Sequence, residues 1–427
     1  MKARGSPGAF LCLIAALVVP AGAICQAEDG QGGLLDALAA QVHGYYEVRA
    51  GCRTGRDPYE EDMSIMETRL QLELPASARW FDLKYKGDLW ADGITDEAGH
   101  DTRELWLFSR PTDLLDVKIG RQVLTWGTGD LVFLNDLFPK DWRSFFIGRD
   151  AEYLKAPSDA IKLGFFTDIA NLDLVYTPRF DPDRFITGEY VSYWNGQAGR
   201  PAGRDAIVHA RQPDRWLEDY EIALRLYRNV NGYELALYGY RGYWKTPEGQ
   251  TPSGAPVFPR LNAYGFSVRG RTGPGIGNVE LAYYRSVNDP HGEDPLVRNS
   301  EARYLAGYAQ EISTDLNGSL QYYVEQVLNW GNYARGLKGA NGKDQFRHVV
   351  TLQLTQLMMD QNLRLSLGGY YSPSDRDAYL RPNIHYMYTD NIRLELGANI
   401  FLGEDPSTFF AQFEKNTNIY TAVRYSF

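Results

Sequence analysis

Long apolar runs are missing from the 427-residue sequence. A bundle of membrane helices would need several such runs of about 20 residues each, so that class is excluded. Cysteine is nearly absent, with three residues in the whole chain. Neither a disulfide scaffold nor a zinc cluster can be built from so few. Positive charge is in deficit: 44 basic residues against 54 acidic ones give a net charge of −10. A nucleic-acid-binding surface needs a basic footprint, and the chain does not offer one. Catalytic signatures are missing as well. There is no phosphate loop, no Gly-x-Ser-x-Gly, no His-Glu-x-x-His and no Cys-x-x-Cys-His. The chain is therefore expected not to be an enzyme, and to need no cofactor, covalent haem or metal. A pair such as Ser319 and His348 would be a hydrolase-like arrangement, but no third orienting group accompanies it. The acidic stretch Asp57-Pro58-Tyr59-Glu60-Glu61-Asp62 lacks the alternating ligand spacing of a calcium loop and reads as a solvated loop.

What is present is aromatic. Aromatics make up 13% of the chain, and the 29 Tyr outnumber the 19 Phe and 9 Trp. An amphipathic surplus of this kind collects where an apolar surface meets water. The N-terminus has the three-part layout of a secretory signal peptide: Lys2 and Arg4, an apolar core from Ala9 to Val19 ended by Pro20, then small residues up to Ala23 and Ala27. That core is about 12 residues, too short to span a bilayer. Cleavage after Ala27 removes two basic residues and no acidic one, which leaves a net charge of −12, and makes Cys52 the only thiol. Residues 28–41, with Leu34-Leu35-Asp36-Ala37-Leu38, are expected to form a short periplasmic segment, and 42–427 the main domain.

That domain alternates with a period of two. In Phe81-Asp82-Leu83-Lys84-Tyr85-Lys86-Gly87-Asp88-Leu89-Trp90-Ala91-Asp92 the odd positions are apolar or small and the even ones mostly charged. A helix would scatter these charges, whereas a strand puts them on one face. The same period runs through 66–74, 363–367 and 392–396. Segments of about 9 to 12 residues are long for a soluble strand and suit a tilted membrane strand. The pattern places strands near 42–52, 64–74, 80–92, 103–110, 115–126, 160–166, 171–177, 219–227, 233–241, 262–270, 278–287, 301–312, 319–328, 347–358, 363–371, 379–388, 392–401 and 417–427. Links after even-numbered strands are short and rich in turn residues, as at 111–113, 229–232 and 389–391. Links after odd-numbered strands are mostly longer, notably 127–159 and 178–218. Short turns on one side and long loops on the other are the layout of an outer-membrane barrel, here all-β, antiparallel and up-and-down with about 18 strands.

Two local patterns narrow this. The last strand, Ile419 to Phe427, alternates and ends on an aromatic, with Tyr425 and Phe427 on one face. It resembles the C-terminal assembly signal of bacterial outer-membrane proteins. The stretch Ile119-Gly120-Arg121-Gln122-Val123-Leu124-Thr125-Trp126-Gly127 resembles the Gly-Arg-Gln-x-x-x-Trp-Gly pattern of porins related to proteobacterial alginate-export channels. The resemblance covers about 25 residues and implies a monomeric channel of about eighteen strands with a loop in the lumen, without carrying over a solute. Trp126 and Gly127 are read as an interface aromatic and a bend. By alternation Arg121 should face lipid, at a cost of about 2–4 kcal/mol at the midplane, unless it lies at the rim or a bulge at Gly120 turns it inward.

Alternation also predicts the lumen. Its acidic members include Glu47, Glu67, Glu73, Asp82, Asp88, Asp116, Glu221, Glu280 and Glu325. Its basic members include Arg49, Arg69, Lys84, Lys86, Lys118, Lys162 and Arg225. Arg364, Arg381, Arg393 and Arg424, one on each of the last four strands, should form a basic stripe opposed only by Glu395. Among these, Arg364, Arg381, Arg393, Arg424, Glu67, Arg69, Lys84, Lys86 and Asp88 are expected to line the pore. The apolar segment 127–159 is too rich in Phe, Leu and Trp to remain in water. It is expected to form the constriction, bordered by Asp130, Asp136, Asp141 and Arg143. The reading that follows is a passive channel for small polar, anionic or sugar-like solutes in a Gram-negative outer membrane. Its expected partners are outer-membrane lipid and lipopolysaccharide, the barrel-assembly machinery, the solute, and a periplasmic partner of unknown identity. Rival readings are an exit channel for a secreted polysaccharide and a sheath around a cytochrome.

Overall fold

The computed structural model describes residues 42–336 and 342–427. The leader and the periplasmic segment 28–41 lie outside the described residues. Eighteen antiparallel strands pair in chain order: β1 (His43–Arg53), β2 (Met63–Ser77), β3 (Asp82–Asp92), β4 (Glu97–Thr112), β5 (Leu115–Val123), β6 (Pro157–Phe165), β7 (Asn171–Thr177), β8 (Glu221–Val230), β9 (Tyr233–Tyr243), β10 (Arg260–Thr272), β11 (Gly275–Ser286), β12 (Glu301–Ser313), β13 (Leu316–Val327), β14 (Phe346–Met358), β15 (Leu363–Ser372), β16 (Asp377–Met387), β17 (Ile392–Gly403) and β18 (Asn418–Ser426). β18 pairs with β1 from Tyr45↔Ser426 to Arg53↔Asn418, which closes the barrel. Closure satisfies every strand's ladder and leaves no edge for lipid to meet.

Alternation then sorts the side chains. On β18, Ile419, Val423 and Tyr425 are exposed on the outer wall while Tyr420, Ala422 and Arg424 are buried inside. Leu237, Leu281, Leu320 and Leu396 continue the outer apolar band. One end of the barrel carries tight turns, as at Asn231–Gly232, where both residues have positive φ. The other end carries the long links 124–156 and 178–220. By the convention of such barrels the tight turns are periplasmic.

Most strand limits shift by a few residues from the sequence reading, and two of the differences have a local cause. β4 begins at Glu97, because only four residues, 93–96, turn the β3–β4 hairpin. β5 stops at Val123, because Thr125 and Trp126 leave the wall and enter the lumen. Trp126 packs edge-on against Phe138 (centroids 4.9 Å apart) and near Tyr238 (6.2 Å). It is therefore a lumen residue and not an interface aromatic. Gly127 supplies the expected bend, with φ +81°. Arg121 does face outward, two residues from the extracellular end of β5, and there it pairs with Asp159 on β6 at 2.9 Å. The register shows no bulge at Gly120; the charge is met by a neighbouring strand instead.

Candidate functional site: a folded-in loop between two lumen chambers

Link 124–156 enters the barrel because its apolar side chains find a wall there. A short helix, α1 (Trp142–Ile147), buries Phe145, Phe146 and Ile147. Phe146 sits edge-on to Tyr379 (5.3 Å) and Phe401 (5.4 Å). Asp141 caps the helix by accepting from the Ser144 N–H at 2.7 Å, and Gly148 ends it at φ +88°, where a Cβ would strike the Tyr420 ring.

Polar anchors fix the loop on two sides. Glu280, inward on β11 and fully buried, accepts from Thr128 Oγ1 (2.8 Å), the Gly129 N–H (2.9 Å), the Thr128 N–H and, on its other oxygen, Asn135 Nδ2 (2.8 Å). On the opposite side a 3-10 turn, Ala151–Leu154, lies on the first strands. There Tyr153 donates to Asp88 at 2.8 Å and is sandwiched by the guanidiniums of Arg69 and Arg103, 4.6 and 4.4 Å from its ring centre. Arg149 reaches Glu67 at 2.5 Å, and Lys86 reaches Glu152 at 2.9 Å. Arg69 bridges Glu67 (2.8 Å) and Asp88 (2.7 Å).

This corrects part of the expected pore lining. Glu67, Arg69 and Asp88 face inward, but the loop covers them, with exposures of 4%, 5% and 0%. They are the loop's seat rather than the walls of a water path. Lys84 is held by Glu73 at 2.9 Å, and Lys86 by the loop itself.

The arginine stripe divides in the same way. Arg393 meets Asp150 at 2.5 Å, and Arg424 meets Glu47 (2.7 Å) and Asp150 (3.0 Å). Burial disfavours ionisation of Asp150, but Arg424 and Arg393 outweigh it and hold its carboxyl down at about 2. Glu395, the carboxylate expected to oppose the stripe, is taken by Arg49 (2.7 Å) and His385 (3.2 Å). Among the described residues Arg364 has His385 as its one side-chain hydrogen-bond partner, and Arg381 lies over the Phe145 ring at 4.1 Å. Two arginines of the four thus remain without a carboxylate among the described residues.

Those two open onto a chamber of about 570 Å³ on the periplasmic side, which Arg269 and Lys155 also border. Neither of the latter makes an ion pair among the described residues; Lys155 donates to Thr125 Oγ1 at 2.7 Å. Asp130 faces the same chamber and accepts from Ser319 at 2.9 Å. On the extracellular side lies a chamber of about 340 Å³, lined by Trp244, Phe409, Arg298 and Arg347 among others. Its cations are paired among the described residues, for example Arg298 with Glu248 (2.5 Å), Arg347 with Asp375 (2.5 Å) and Lys140 with Asp136 (3.0 Å). Leu131, Phe133, Phe145 and Tyr370 border both chambers and form the wall between them.

Of the four residues expected at the constriction, Asp130 borders the periplasmic chamber and Asp136 both. Asp141 is fully buried as the helix cap, so it lines nothing. Arg143 borders a separate recess with Arg184 and Tyr190, and lies over the Tyr190 ring at 4.9 Å. Ser319 faces the lumen, where it meets Asp130, whereas His348 is bonded to Tyr322 on the outer wall, so they form no pair. In the acidic stretch, Asp57 accepts from Ser192 at 2.5 Å and Glu61 pairs with Arg204 at 2.9 Å; no group of metal-ligating residues occurs among the described residues.

Sequence reasoning passed over Lys155, Arg269 and Glu280's role as an anchor. Arg269 was within reach, since it shares a face with Leu261, Ala263 and Ser267 of β10. The pairing of Asp150 with Arg393 and Arg424 was not, because no periodicity reports where a loop carboxylate lands.

No protein-family model matches the sequence, and no curated protein does. Solved structures are similar in fold. Pseudomonas aeruginosa OccK5 (OpdH) matches with a TM-score of 0.54 and 9% identity, over 90% of this chain and 97% of that one. Acinetobacter baumannii OccAB3 matches with 0.54 and 10%, over 91% and 99%. Pseudomonas aeruginosa OccD3 (OpdP) matches with 0.51 and 9%, over 90% and 91%. None of these three carries the alginate-export name suggested by residues 119–127. What they share with this chain is the whole-barrel architecture: the fold is a closed, porin-type barrel of eighteen strands.

Proposed function

We propose that the protein is a narrow, passive outer-membrane channel that favours small anionic or sugar-acid solutes. The carrying observation is the periplasmic chamber, where Arg269, Arg364, Arg381 and Lys155 face a single free carboxylate, Asp130. Inside a low-dielectric wall such charges raise the local anion concentration and are weakly screened by salt. The extracellular chamber, aromatic on one side and ion-paired on the other, admits polar solutes without preferring a sign. The fold shared with the Occ porins supports a channel, and the remaining resemblance at residues 119–127 supports membership among porins more broadly. A polysaccharide exit duct would need an unobstructed lumen of one charge sign, and loop 124–156 speaks against that. The same loop occupies the space that a cytochrome sheath would have to leave open.

Liposome swelling tests the proposal. Vesicles containing the purified protein should swell faster in gluconate than in lysine at matched osmolarity. Equal rates would remove the anion preference; no swelling in any solute would remove the channel.

A further inference from the structure

The outer wall carries a second cationic feature, unrelated to the lumen. Register places Tyr176, Ile222, Arg241, Asn262 and Arg285 in one outward-facing row across β7 to β11. Arg241 is two residues from the extracellular end of β9, and Arg285 one residue from that of β11. Both are exposed, and neither makes an ion pair among the described residues. Arg241 lies 5.8 Å from the ring centre of Tyr220, which itself packs on Tyr176 at 6.0 Å. One register step towards the periplasm, Tyr264 and Tyr283 stack at 6.4 Å on the outer face, and the next step is Leu237, Phe266 and Leu281. The arginines therefore stand just above the aromatic girdle, at headgroup depth in the outer leaflet.

A second observation marks the same place. The link before β8 turns Trp216 and Leu217 outward, 58% and 67% exposed, with Leu217 at φ +64° and its N–H bonded to Pro178 O at 2.8 Å. Arg179 lies over the Trp216 ring at 5.4 Å. Large apolar side chains held outward beside arginines suit a lipid with an anionic head and acyl chains beneath it.

We propose that this row is a binding site for a phosphorylated glycolipid of the outer leaflet. Arg241 and Arg285 stand on strands two apart, so their backbones are about 10 Å from each other. That spacing suits two separate phosphates on one headgroup better than a single one. Guanidinium is matched to phosphate by its planar fork of donors. Asn262, between the two arginines, offers a neutral donor to the sugar.

Native mass spectrometry of the purified full-length barrel tests this, with bisphosphorylated lipid A, its monophosphorylated form and phosphatidylglycerol as probes. The wild type should retain the bisphosphorylated lipid best. Arg241→Gln with Arg285→Gln should weaken retention at least about tenfold, the loss expected for two charge-assisted contacts. Arg228→Gln, an outward arginine near the periplasmic end of β8, should leave retention unchanged. Folding is read from heat-modifiable gel migration, and if the double variant does not fold, Arg285→Gln alone should show a partial loss. Equal retention by wild type and variants would overturn the proposal. So would phosphatidylglycerol held as well as lipid A, which would mean an unselective anion-attracting rim.

Discussion

At the scale of single residues, the lumen separates charges that work from charges that hold. Asp150 illustrates the second kind. It receives both Arg393 and Arg424, and with its carboxyl held near 2 it stays ionised across the ordinary range. A carboxyl depressed below its usual 3.8 adds stability that is present above that value and lost as pH falls toward about 2. Asp150→Asn should therefore free the Arg393 guanidinium at neutral pH, while Arg424 keeps Glu47, and move the channel's reversal potential further toward anions. The wild type should show an acid-induced loosening of link 124–156 between those pH values, read by proteolysis of the loop, and Asp150→Asn should remove it. The identity of the holding residues was only half legible beforehand. Alternation placed Arg393 and Arg424 inward, which they are, but their partner comes from a loop whose path no strand period encodes. Arg364 and Arg381, whose neighbours are His385 and Phe145, are the members of the stripe left to act on a solute.

At the scale of elements, the decisive part is a loop and the strands are its frame. Eighteen strands could be read from the alternation because a barrel has one wet face and one lipid face, so inward residues are mostly polar or small, with apolar exceptions such as Phe401 where the folded-in loop packs. The entry of link 124–156 into the lumen could be read from composition alone, since Phe133, Phe138, Phe145 and Phe146 must leave water. Where it would lie could not, because that depends on Glu280 and on Tyr153's seat among Asp88, Arg69 and Arg103. Glu280→Ala should take the acceptor from four loop donors, at about 1–3 kcal/mol for each left unsatisfied, while the strand ladders stay intact. Single-channel recordings should then show a larger and noisier conductance in a barrel that still resists SDS at room temperature. An unchanged conductance would mean that the aromatic packing of α1 holds the loop without help. A different loop carries a pH response. Burial pushes the Glu60 carboxyl up to about 7 despite Arg53 and Arg204, with Asp57 and Glu61 adding to the rise. Raised above its ordinary 4.5, it disfavours the packed loop progressively as pH climbs from about 4.5 through 7. Hydrogen exchange of residues 54–62 should therefore show protection falling across that window, beyond the intrinsic rate change, and Glu60→Gln should flatten the response.

At the scale of the whole molecule, the barrel is a closed wall with a divided interior. Closure joins β18 to β1, and Phe427 secures the seam: its N–H donates to Gly44 O at 3.0 Å, its carbonyl accepts from the Gly44 N–H at 3.1 Å, and its ring lies beside Tyr425 on the outer face. Deleting Phe427 removes two seam hydrogen bonds and the terminal aromatic together. In cells the folded, heat-modifiable fraction should fall, whereas refolding into detergent should suffer less, because the strand register from Tyr45 to Arg53 remains. The interior has two chambers with a wall of Leu131, Phe133, Phe145 and Tyr370 between them, and among the described residues only the periplasmic one carries unpaired cations. The proposed anion preference is thus a property of one end of the path. The most direct test is the zero-current potential of the purified protein in a planar bilayer under a gradient of dilute KCl. The account predicts an anion-selective potential that shifts toward cations in Arg364→Gln with Arg381→Gln and changes far less in Lys84→Gln, whose charge is spent on Glu73. A reversal potential untouched by the Arg364 and Arg381 replacements, or the absence of any conductance from a folded barrel, would contradict it.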